Sequence, residues 1–291
     1  MSLLPLPAPA AISDERVVLT RCLEVLRRSP AGLVTDIDGT ISAIAATPGA
    51  ATVAPAARAA LDRLRSSLTL IGIVTGRAAA VAEGMVGIEG LVYIGNHGME
   101  RRHAGAEWAH PEANAEAAAM GSALREFTAE IERLGWAEGV VVEDKRLSGS
   151  IHYRLAPDQA AAYETLLPLA VATAEKYGLL VTSGRQILEF RPNVVVNKGT
   201  AIIDLVAGYR LRGVVFLGDD LTDVDGFRAL RVLRDRGEVA ALMVGVLSAE
   251  TPPEVVANVD VTVRDVDACA ALLTALAEEL GSSTPPSLAP V

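Results

Sequence analysis

The stretch AGLVTDIDGT (residues 31–40) decides the predicted fold, because a short apolar run ends there in an acidic loop. A helical pattern follows at about 55–66, and two further apolar runs, at 68–77 and 91–96, also end in glycine and polar residues. Short apolar runs that alternate with helices are typical of a parallel sheet covered by helices. The sequence therefore predicts an α/β fold built around such a sheet.

The ends of these apolar runs carry the first candidate site residues. Parallel sheets place ligands just beyond the carboxyl ends of their strands. Each of the three runs ends in a pair of polar residues: Asp36 and Asp38, Thr75 and Arg77, and Asn96 and His97. We therefore expect the chemistry of this protein at that edge of the sheet.

The middle of the chain has a different pattern. Apolar residues recur three and four positions apart over 117–134, which predicts an amphipathic helix. Two strand pairs are predicted at 139–154 and 179–190, with a second helix between them and a turn of the later pair at Ser183 and Gly184. This order predicts an antiparallel α+β module inserted into the first domain.

The parallel pattern returns at about residue 198 and continues to about residue 280. The predicted organisation is a flexible tail at 1–12, a catalytic core at 13–105 and 197–280, a cap at 106–196, and a flexible tail at 281–291.

Composition and charge exclude several classes of function. The chain has 291 residues and a net charge of −10, so we expect no nucleic-acid partner. It has no uncharged apolar run of about 18 residues, so we expect no membrane span, and its first residues lack a secretory-signal pattern. Cys22 and Cys269 form no metal-binding or disulfide pattern. These features predict a cytoplasmic protein.

Aspartates are concentrated in two motifs that each follow an apolar run. TDIDGT holds Asp36 and Asp38, and FLGDDLTDVDGF holds Asp219, Asp220 and Asp223. A polar turn or a helix cap is the alternative interpretation of each motif, but the second motif has more aspartates than a cap needs. Neighbouring carboxylates repel each other, and a hard ion such as Mg²⁺ suits oxygen ligands. We therefore predict that the two motifs converge on one divalent ion.

Two short motifs stand where predicted helices begin. They are Thr75-Gly76-Arg77 and Asn197-Lys198-Gly199. Free backbone N–H groups at a helix start favour an anion, and a hydroxyl and an ammonium add donors that suit phosphate. Taken singly, Thr75 also fits a helix cap and Lys198 a solvated surface charge. Their combination with the aspartates favours a phosphate site.

In their order along the chain, DIDGT, Thr75, Lys198 and GDDLTDVD resemble the motifs of haloacid-dehalogenase (HAD) phosphatases. The chain resembles more narrowly the trehalose-6-phosphate phosphatase family. The stretches that carry this resemblance are TGR (75–77), GNHGME (95–100), VEDKRLSGSIHYR (142–154), LEFRP (188–192), NKGTAI (197–202) and GDDLTD (218–223).

The resemblance implies a HAD-like Rossmannoid core with an inserted cap and hydrolysis of trehalose 6-phosphate with Mg²⁺. It implies that Asp36 is the nucleophile, that Asp38 is the general acid and base, and that Thr75 and Lys198 hold the phosphoryl oxygens. The implied metal ligands are Asp36, the backbone carbonyl of Asp38, Asp219 and, in a supporting or water-mediated role, Asp220 and Asp223. Substrate contacts are expected from Gly76, Arg77, Asn96 and His97.

The cap is expected to recognise the sugar. Side chains two apart on a strand share a face, so Glu143 and Lys145 point together, and Glu189 points away from Leu188 and Phe190. Carboxylates and an ammonium on one face suit sugar hydroxyls, and the resemblance implicates the same three residues. An exposed, salt-bridged sheet face is the alternative.

Two further predictions concern the hinges between core and cap and the state of His152. Hinges between core and cap are expected near 104–106 and 196–199, where Gly105 and Gly199 could absorb dihedral changes. His152 shares a strand face with Arg154 and is predicted to be neutral and packed.

Three alternative functions stay open at this point. The same chemistry could act on another sugar phosphate, of the sucrose-phosphate or glucosylglycerate-phosphate type. The chain could instead be a non-catalytic sugar-phosphate sensor, or a phosphotransferase that passes the phosphoryl group to another acceptor. In each case the partner is a small sugar phosphate, and protein partners are unknown.

Overall fold

A central eight-stranded sheet organises the structure, a computed structural model that describes residues 12–282. The predicted tails, 1–12 and 281–291, lie outside the described residues apart from Ile12, Gly281 and Ser282.

The strands of the described residues are, in chain order, β1 (Ala31–Thr35), β2 (Leu70–Val74), β3 (Val92–Gly95), β4 (Glu100–His103), β5 (Ala106–Ala109), β6 (Val141–Asp144), β7 (Gly149–His152), β8 (Leu180–Gly184), β9 (Ile187–Arg191), β10 (Gly213–Gly218), β11 (Ala240–Val246) and β12 (Val261–Val263). The α-helices of the same residues are α1 (Glu15–Leu26), α2 (Pro55–Leu64), α3 (Ala79–Val86), α4 (Pro111–Ala115), α5 (Ala117–Arg133), α6 (Gln159–Lys176), α7 (Lys198–Gly208), α8 (Leu221–Asp235), α9 (Pro253–Asn258) and α10 (Val266–Gly281).

The central sheet has the strand order β12-β11-β10-β1-β2-β3-β4-β5. The first six strands in this order, from β12 to β3, are parallel to one another. The β4–β5 hairpin adds two antiparallel strands at the edge beside β3. All five residues of β1 are buried, as expected of a strand that has helices on both faces. The predicted α/β class with a parallel sheet is confirmed.

Helices cover both faces of the central sheet. One face packs against α1, α2, α3 and α10, and the other packs against α7, α8 and α9. Because each face has its own apolar cluster, the sheet is the middle layer of three.

The inserted α+β unit has a sheet and a core of its own. Its four antiparallel strands have the order β6-β7-β9-β8, and α5 and α6 pack on one face. Phe127 on α5 and Phe190 on β9 meet edge to face in this core, with ring centroids 5.6 Å apart. The opposite sheet face carries polar side chains.

The hairpin turn predicted at Ser183 and Gly184 is wrong by two residues. Gly184 still pairs with Ile187, so the turn consists of Arg185 and Gln186, and Gln186 takes the left-handed conformation (φ 53°). The prediction placed the turn at Gly184 because glycine is common in turns, but the strand pairing extends through this residue. The correction places Arg185 at the tip of the hairpin.

The β4–β5 hairpin was not predicted. Its strands, ERRH and AEWA, are short and polar, and they lie at the sheet edge, so they lack the apolar alternation of a buried strand. The central sheet consequently continues through Ala109, past the core boundary predicted at 105. Gly105 (φ 78°) lies in the turn of this hairpin, inside one sheet rather than between the two. The division into core and cap otherwise stays a prediction, as does the hinge at Gly199.

Helices α1 and α9 of the core were missing from the prediction, and α3 was expected only as a helix start near Thr75-Gly76-Arg77, without a range. Helix α3 is rich in alanine and valine, so its sequence has little contrast between its faces. Within residues 12–282, no helix combines the length and the apolar character that crossing a bilayer requires.

Strand register brings the loops after β1, β2 and β10 together. Thr35 pairs with Leu217 on one side and with Ile73 on the other. The N–H of Asp36 donates to the carbonyl of Leu217 at 3.0 Å. The residues that follow these three strands therefore meet at one edge, beside β1, where the chain order of the strands reverses.

The cap core should be a separate source of stability. We expect Phe127→Ala to lower the free energy of unfolding by about 3–5 kcal/mol, because it leaves a cavity against Phe190. Urea unfolding followed by the fluorescence of Trp136, which packs on the same cluster, measures this loss. Leu134→Ala, at a side chain that is 43% exposed, is the matched control and should cost less than about 1 kcal/mol. Equal costs for the two variants would contradict the assignment of this core.

Candidate active site

Three buried aspartates meet at the carboxyl edge of the central sheet. Asp36 follows β1, Asp219 follows β10, and Asp223 lies in the first turn of α8. One oxygen from each lies within 4.8 Å of the others. The two predicted acidic motifs are therefore brought together.

Lys198 is the ammonium inside this cluster. Its Nζ lies 3.1 Å from Asp36 Oδ1 and 2.7 Å from Asp223 Oδ1, and the residue is 2% exposed. Asn197 fixes the start of α7 through a capping box with Thr200, which holds Lys198 at the first helical position. Burial alone would lower the pKa of Lys198, but the two carboxylates raise it, so this side chain stays charged.

Negative charge exceeds what Lys198 can offset. Burial raises the pKa of Asp36 to about 7, because the lowering effect of Lys198 is smaller and Asp223 and Asp38 add repulsion. Burial and the carboxylates of Asp36 and Asp223 also raise the pKa of Asp219, and Arg185 offsets only part of this effect. Both ionised forms are thus disfavoured unless further positive charge is present.

The space around Asp219 fits a cation. Its Oδ1 accepts a hydrogen bond from the Thr40 hydroxyl at 3.0 Å, whereas Oδ2 accepts no hydrogen bond among residues 12–282 and lies 3.1 Å from Arg185 Nη1 as an ion pair. A Cβ on Gly39 would lie 2.1 Å from that Oδ2, so only glycine leaves room for it. A carboxylate oxygen that accepts no hydrogen bond, beside two other carboxylates, is a donor set that suits a hard cation.

Asp223 and Asp220 have different surroundings. Both oxygens of Asp223 are engaged, since Oδ1 binds Lys198 and Oδ2 accepts the backbone N–H groups of Asp219 and Asp220 at 3.0 Å. A Cβ on Gly218 would lie 2.5 Å from the Asp223 carboxyl carbon, so glycine is required there. The Asp220 side chain is one-third exposed and lies outside the triad, although it lines the same cavity.

Asp38 faces the cavity with Arg77 as its partner. Arg77 donates from Nε and Nη2 to the two carboxylate oxygens at 2.6 and 2.7 Å, and from Nη1 to the carbonyl of Pro48 at 3.0 Å. Arg77 also lines the cavity, so its expected contact with substrate stays a prediction, and in this structure its guanidinium positions Asp38. Such a two-point contact fixes the orientation of the Asp38 carboxyl group.

Thr75 and Gly76 form the wall of the cavity beside Asp36. Thr75 is 1% exposed, and its hydroxyl accepts the backbone N–H of Arg77 at 3.3 Å. A Cβ on Gly76 would lie 2.6 Å from the ring of His97, so the glycine allows that ring to pack against the loop. We call residues 75–77 the β2 loop.

The cap contributes its polar sheet face to the same cavity. Glu143, Lys145 and Glu189 all line it, whereas Leu188 and Phe190 are buried in the cap core. The predicted strand faces are therefore correct, and the alternative of an exposed sheet face does not hold for these three residues.

Glu189 is the most constrained of these cap side chains. Its Oε1 accepts from Lys145 Nζ at 3.1 Å, and its Oε2 lies 3.1 Å from His97 Nε2. Burial would raise its pKa, but His97 and Lys145 outweigh that effect and hold it below the ordinary value. The Glu189 carboxylate is therefore ionised.

Glu143 is held by a different partner and lies nearer the cavity mouth. His152 Nε2 lies 3.1 Å from Glu143 Oε2 and also lines the cavity. His152 was predicted to be packed in the cap, and the structure instead places it beside Glu143. Burial would raise the pKa of Glu143, but His152 and Lys145 lower it on balance.

Asn96 and His97 both contact the cap, but only His97 also lines the cavity. Asn96 is fully buried and is absent from the cavity lining; its side chain meets Ser148 and Glu100. His97 lines the cavity wall, and its Nε2 points to Glu189.

Arg185 is the main cavity residue that sequence reasoning missed. It reaches from the β8–β9 turn to the core, where Nη2 donates to the carbonyl of Asp219 at 2.9 Å and Nη1 lies 3.1 Å from Asp219 Oδ2. Correct placement of the hairpin turn would have been the signal, because a basic side chain at that tip faces the aspartates. Residues 44–48, after the TDIDGT motif, also line the cavity and carry no polar motif.

Comparison with known proteins identifies the family. Residues 34–255 match the family model described as trehalose-phosphatase. The trehalose-phosphate phosphatase of Mycobacterium tuberculosis (strain H37Rv) is 36% identical over 210 residues, which are 70% of this chain and 52% of that protein. The trehalose-phosphate phosphatase of Mycobacterium marinum is 36% identical over 201 residues, 67% of this chain and 50% of that protein. This chain thus spans about half the length of the curated relatives it matches.

A solved structure shares the fold. The C-terminal domain of the Candida albicans trehalose-6-phosphate phosphatase superposes with a TM-score of 0.75, over 94% of this chain and 99% of that one, at 22% identity. Sequence and fold agree, and the chain belongs to the trehalose-phosphatase family.

Proposed function

We propose that this chain is a Mg²⁺-dependent phosphatase that hydrolyses trehalose 6-phosphate to trehalose and inorganic phosphate. The observation that carries the proposal is that Asp36 shares one cavity with Glu143, Lys145 and Glu189. The core end of this cavity suits a phosphate, and the cap end suits hydroxyl groups. A phosphorylated sugar is a ligand that matches both ends.

Asp36 is the nucleophile in the proposed mechanism. One of its carboxylate oxygens attacks phosphorus, the bond from phosphorus to the sugar oxygen breaks, and an aspartyl-phosphate forms. Lys198, 3.1 Å from Asp36, and Thr75 hold the phosphoryl oxygens while their charge redistributes. Their burial keeps water away from these contacts.

Asp38 moves the protons. It gives one to the departing sugar oxygen, and in the second step it takes one from the water that attacks the aspartyl-phosphate. The second step breaks the bond from phosphorus to Asp36 and releases inorganic phosphate. Because Arg77 donates to both carboxyl oxygens of Asp38, one of these contacts has to open when substrate enters, so that the protonated carboxyl group can reach the sugar oxygen.

Asp36, Asp219 and the backbone carbonyl of Asp38 would hold the Mg²⁺ ion. Asp223 is better suited to a supporting role, since Lys198 and two backbone N–H groups already use its oxygens. When bound, the ion supplies positive charge that reduces repulsion between Asp36 and the phosphate. The all-oxygen donor set favours Mg²⁺ over softer metals.

The cap residues are proposed to bind the sugar hydroxyls. Glu143 and Glu189 are ionised acceptors, and Lys145 is a donor between them. These groups fit a hydroxyl-rich ligand in general, so another sugar phosphate is the nearest alternative substrate.

Removal of the nucleophile should abolish turnover. We expect Asp36→Asn to lower phosphate release from trehalose 6-phosphate by at least about 1,000-fold, because the amide cannot attack phosphorus. EDTA should abolish release by the unaltered protein, and added Mg²⁺ should restore it. Asp62→Asn, at an exposed ion pair with Arg65, is the matched control and should retain activity. Full activity of Asp36→Asn would rule out the mechanism.

The metal-free protein should carry a stability penalty at Asp36 that depends on pH. The folded-state pKa is raised to about 7 from 3.8, so the contribution of Asp36 is favourable at low pH and is lost as the pH rises through 7. In EDTA at pH 8 we expect Asp36→Asn to be more stable than the unaltered protein by about 1–4 kcal/mol. This advantage should shrink as the pH falls from 7 towards 4.

Urea unfolding across this pH range measures the difference, with Asp62→Asn as the control that should show none. A metal-free Asp36→Asn protein that is less stable than the unaltered one at pH 8 would contradict the assigned charge excess.

The cap carboxylates should determine which sugar phosphate is used. We expect kcat/KM for trehalose 6-phosphate to exceed that for sucrose 6-phosphate and glucose 6-phosphate by at least about tenfold. Glu143→Gln should lower kcat/KM for trehalose 6-phosphate by about 10–100-fold, the usual cost of losing charge-assisted hydrogen bonds. Glu130→Gln, on the cap surface beside Arg133, is the matched control. Preference for one of the other sugar phosphates would favour the alternative substrate.

A further inference from the structure

The backbone at Asn96 and His97 is strained. Both residues have left-handed conformations, with φ of 49° and 58°, and Gly98 follows with φ 115°. For residues other than glycine, such a conformation costs about 1–2 kcal/mol each and persists only where the surroundings require it. Strain of this kind at the edge of a cavity points to side chains that must be placed accurately.

The strained pair is anchored to the β2 loop. The N–H of His97 donates to the carbonyl of Thr75 at 3.0 Å, and that of Asn96 donates to the carbonyl of Arg77 at 2.8 Å. The His97 ring also packs against Gly76, where any larger residue would collide with it. His97 therefore moves only together with the loop that borders the phosphate end of the cavity.

The ring of His97 reaches from the core to a cap side chain. Burial lowers its pKa, so the imidazole is neutral and Nε2–H is the donor to Glu189 Oε2 at 3.1 Å. Its Nδ1 has no hydrogen-bond partner within the described part of the chain, which agrees with a proton on Nε2. This contact is directed at one carboxylate oxygen.

Two further contacts join the same elements. Lys145 Nζ donates to the carbonyl of Gly76 at 3.0 Å and to Glu189 Oε1 at 3.1 Å. The Ser148 hydroxyl lies 2.6 Å from Asn96 Oδ1 and 3.3 Å from Glu189 Oε1. The Glu189 carboxylate is thus held by Lys145 and Ser148, and each of these two side chains also contacts a residue of the core.

We propose that His97 is a positioning residue that sets the Glu189 carboxylate at a fixed place relative to the β2 loop, so that the sugar is bound at the correct distance from the reacting phosphorus. This inference rests on the proposed function. A displacement of about 1 Å of a group that orients substrate can cost about 100-fold in rate. His97 acts through Glu189 and does not need to touch the substrate.

The test compares two variants of His97 with a matched histidine control. Asn tolerates the left-handed conformation but is too short to reach Glu189, whereas Gln can present an amide N–H to it. His103→Asn, on β4 beside Tyr209 and away from the cavity lining, is the control. Each variant is assayed with trehalose 6-phosphate and with p-nitrophenyl phosphate, which has no sugar.

We expect His97→Asn to lower the ratio of kcat/KM for trehalose 6-phosphate to that for p-nitrophenyl phosphate by about 10–100-fold. His97→Gln should recover most of this loss, and His103→Asn should leave the ratio within about twofold. A merely structural role would reduce both activities together and would give no recovery with Gln, and that result would overturn the inference.

A readout without activity separates this inference from the proposed function. A crystal structure of His97→Asn should show the Glu189 carboxylate displaced from its present position, whereas an unmoved carboxylate would overturn the positioning role. If the unaltered protein fails to hydrolyse trehalose 6-phosphate, the proposed function fails, and the crystal structure still decides the role of His97.

Discussion

Repulsion among buried carboxylates is the constraint on which the rest of this structure depends. Asp36, Asp219 and Asp223 share one space with the ammonium of Lys198, and the Arg185 guanidinium approaches Asp219 from the cap side. Taking such groups out of water is costly unless opposite charge is present, so the cluster would be a liability in a protein with no use for it. The pKa values of Asp36 and Asp219 are raised for this reason. This excess of negative charge is the basis on which a cation and, with it, an anionic substrate are proposed.

The surrounding fold keeps these charges close in spite of their repulsion. Adjacent strands β1 and β10 fix two of the aspartates, and the first turn of α8 fixes the third. Glycines at 39 and 218 leave room that any side chain would fill. Burial of the apolar clusters on both faces of the sheet stabilises the fold and offsets the electrostatic cost of burying the carboxylates. Packing far from the site therefore makes the site possible.

The cap has its own core, but its polar face is not arranged by the cap alone. Glu189 stands on a cap strand and takes a hydrogen bond from His97 of the core, and Arg185 at the cap hairpin tip reaches Asp219. The proposed sugar end and the proposed phosphate end of the cavity are consequently joined by short polar contacts. Such contacts are directional, so a small shift of the cap changes both ends of the site together.

Much of this protein was determined by its sequence alone: the apolar runs that become parallel strands, the aspartates at their ends, Lys198 at a helix start, and the alternation that puts Glu143, Lys145 and Glu189 on one cap face. These are local features, because the periodicity of a strand or helix and the residue types at its end depend on residues that are neighbours in the chain. Only the tertiary structure decided that Arg77 pairs with Asp38, that His97 contacts Glu189, and that Arg185 faces Asp219. Each of these contacts joins residues far apart in the chain. Whether such residues meet depends on strand register and turn position, and a pattern of residue types leaves both uncertain by one or two positions.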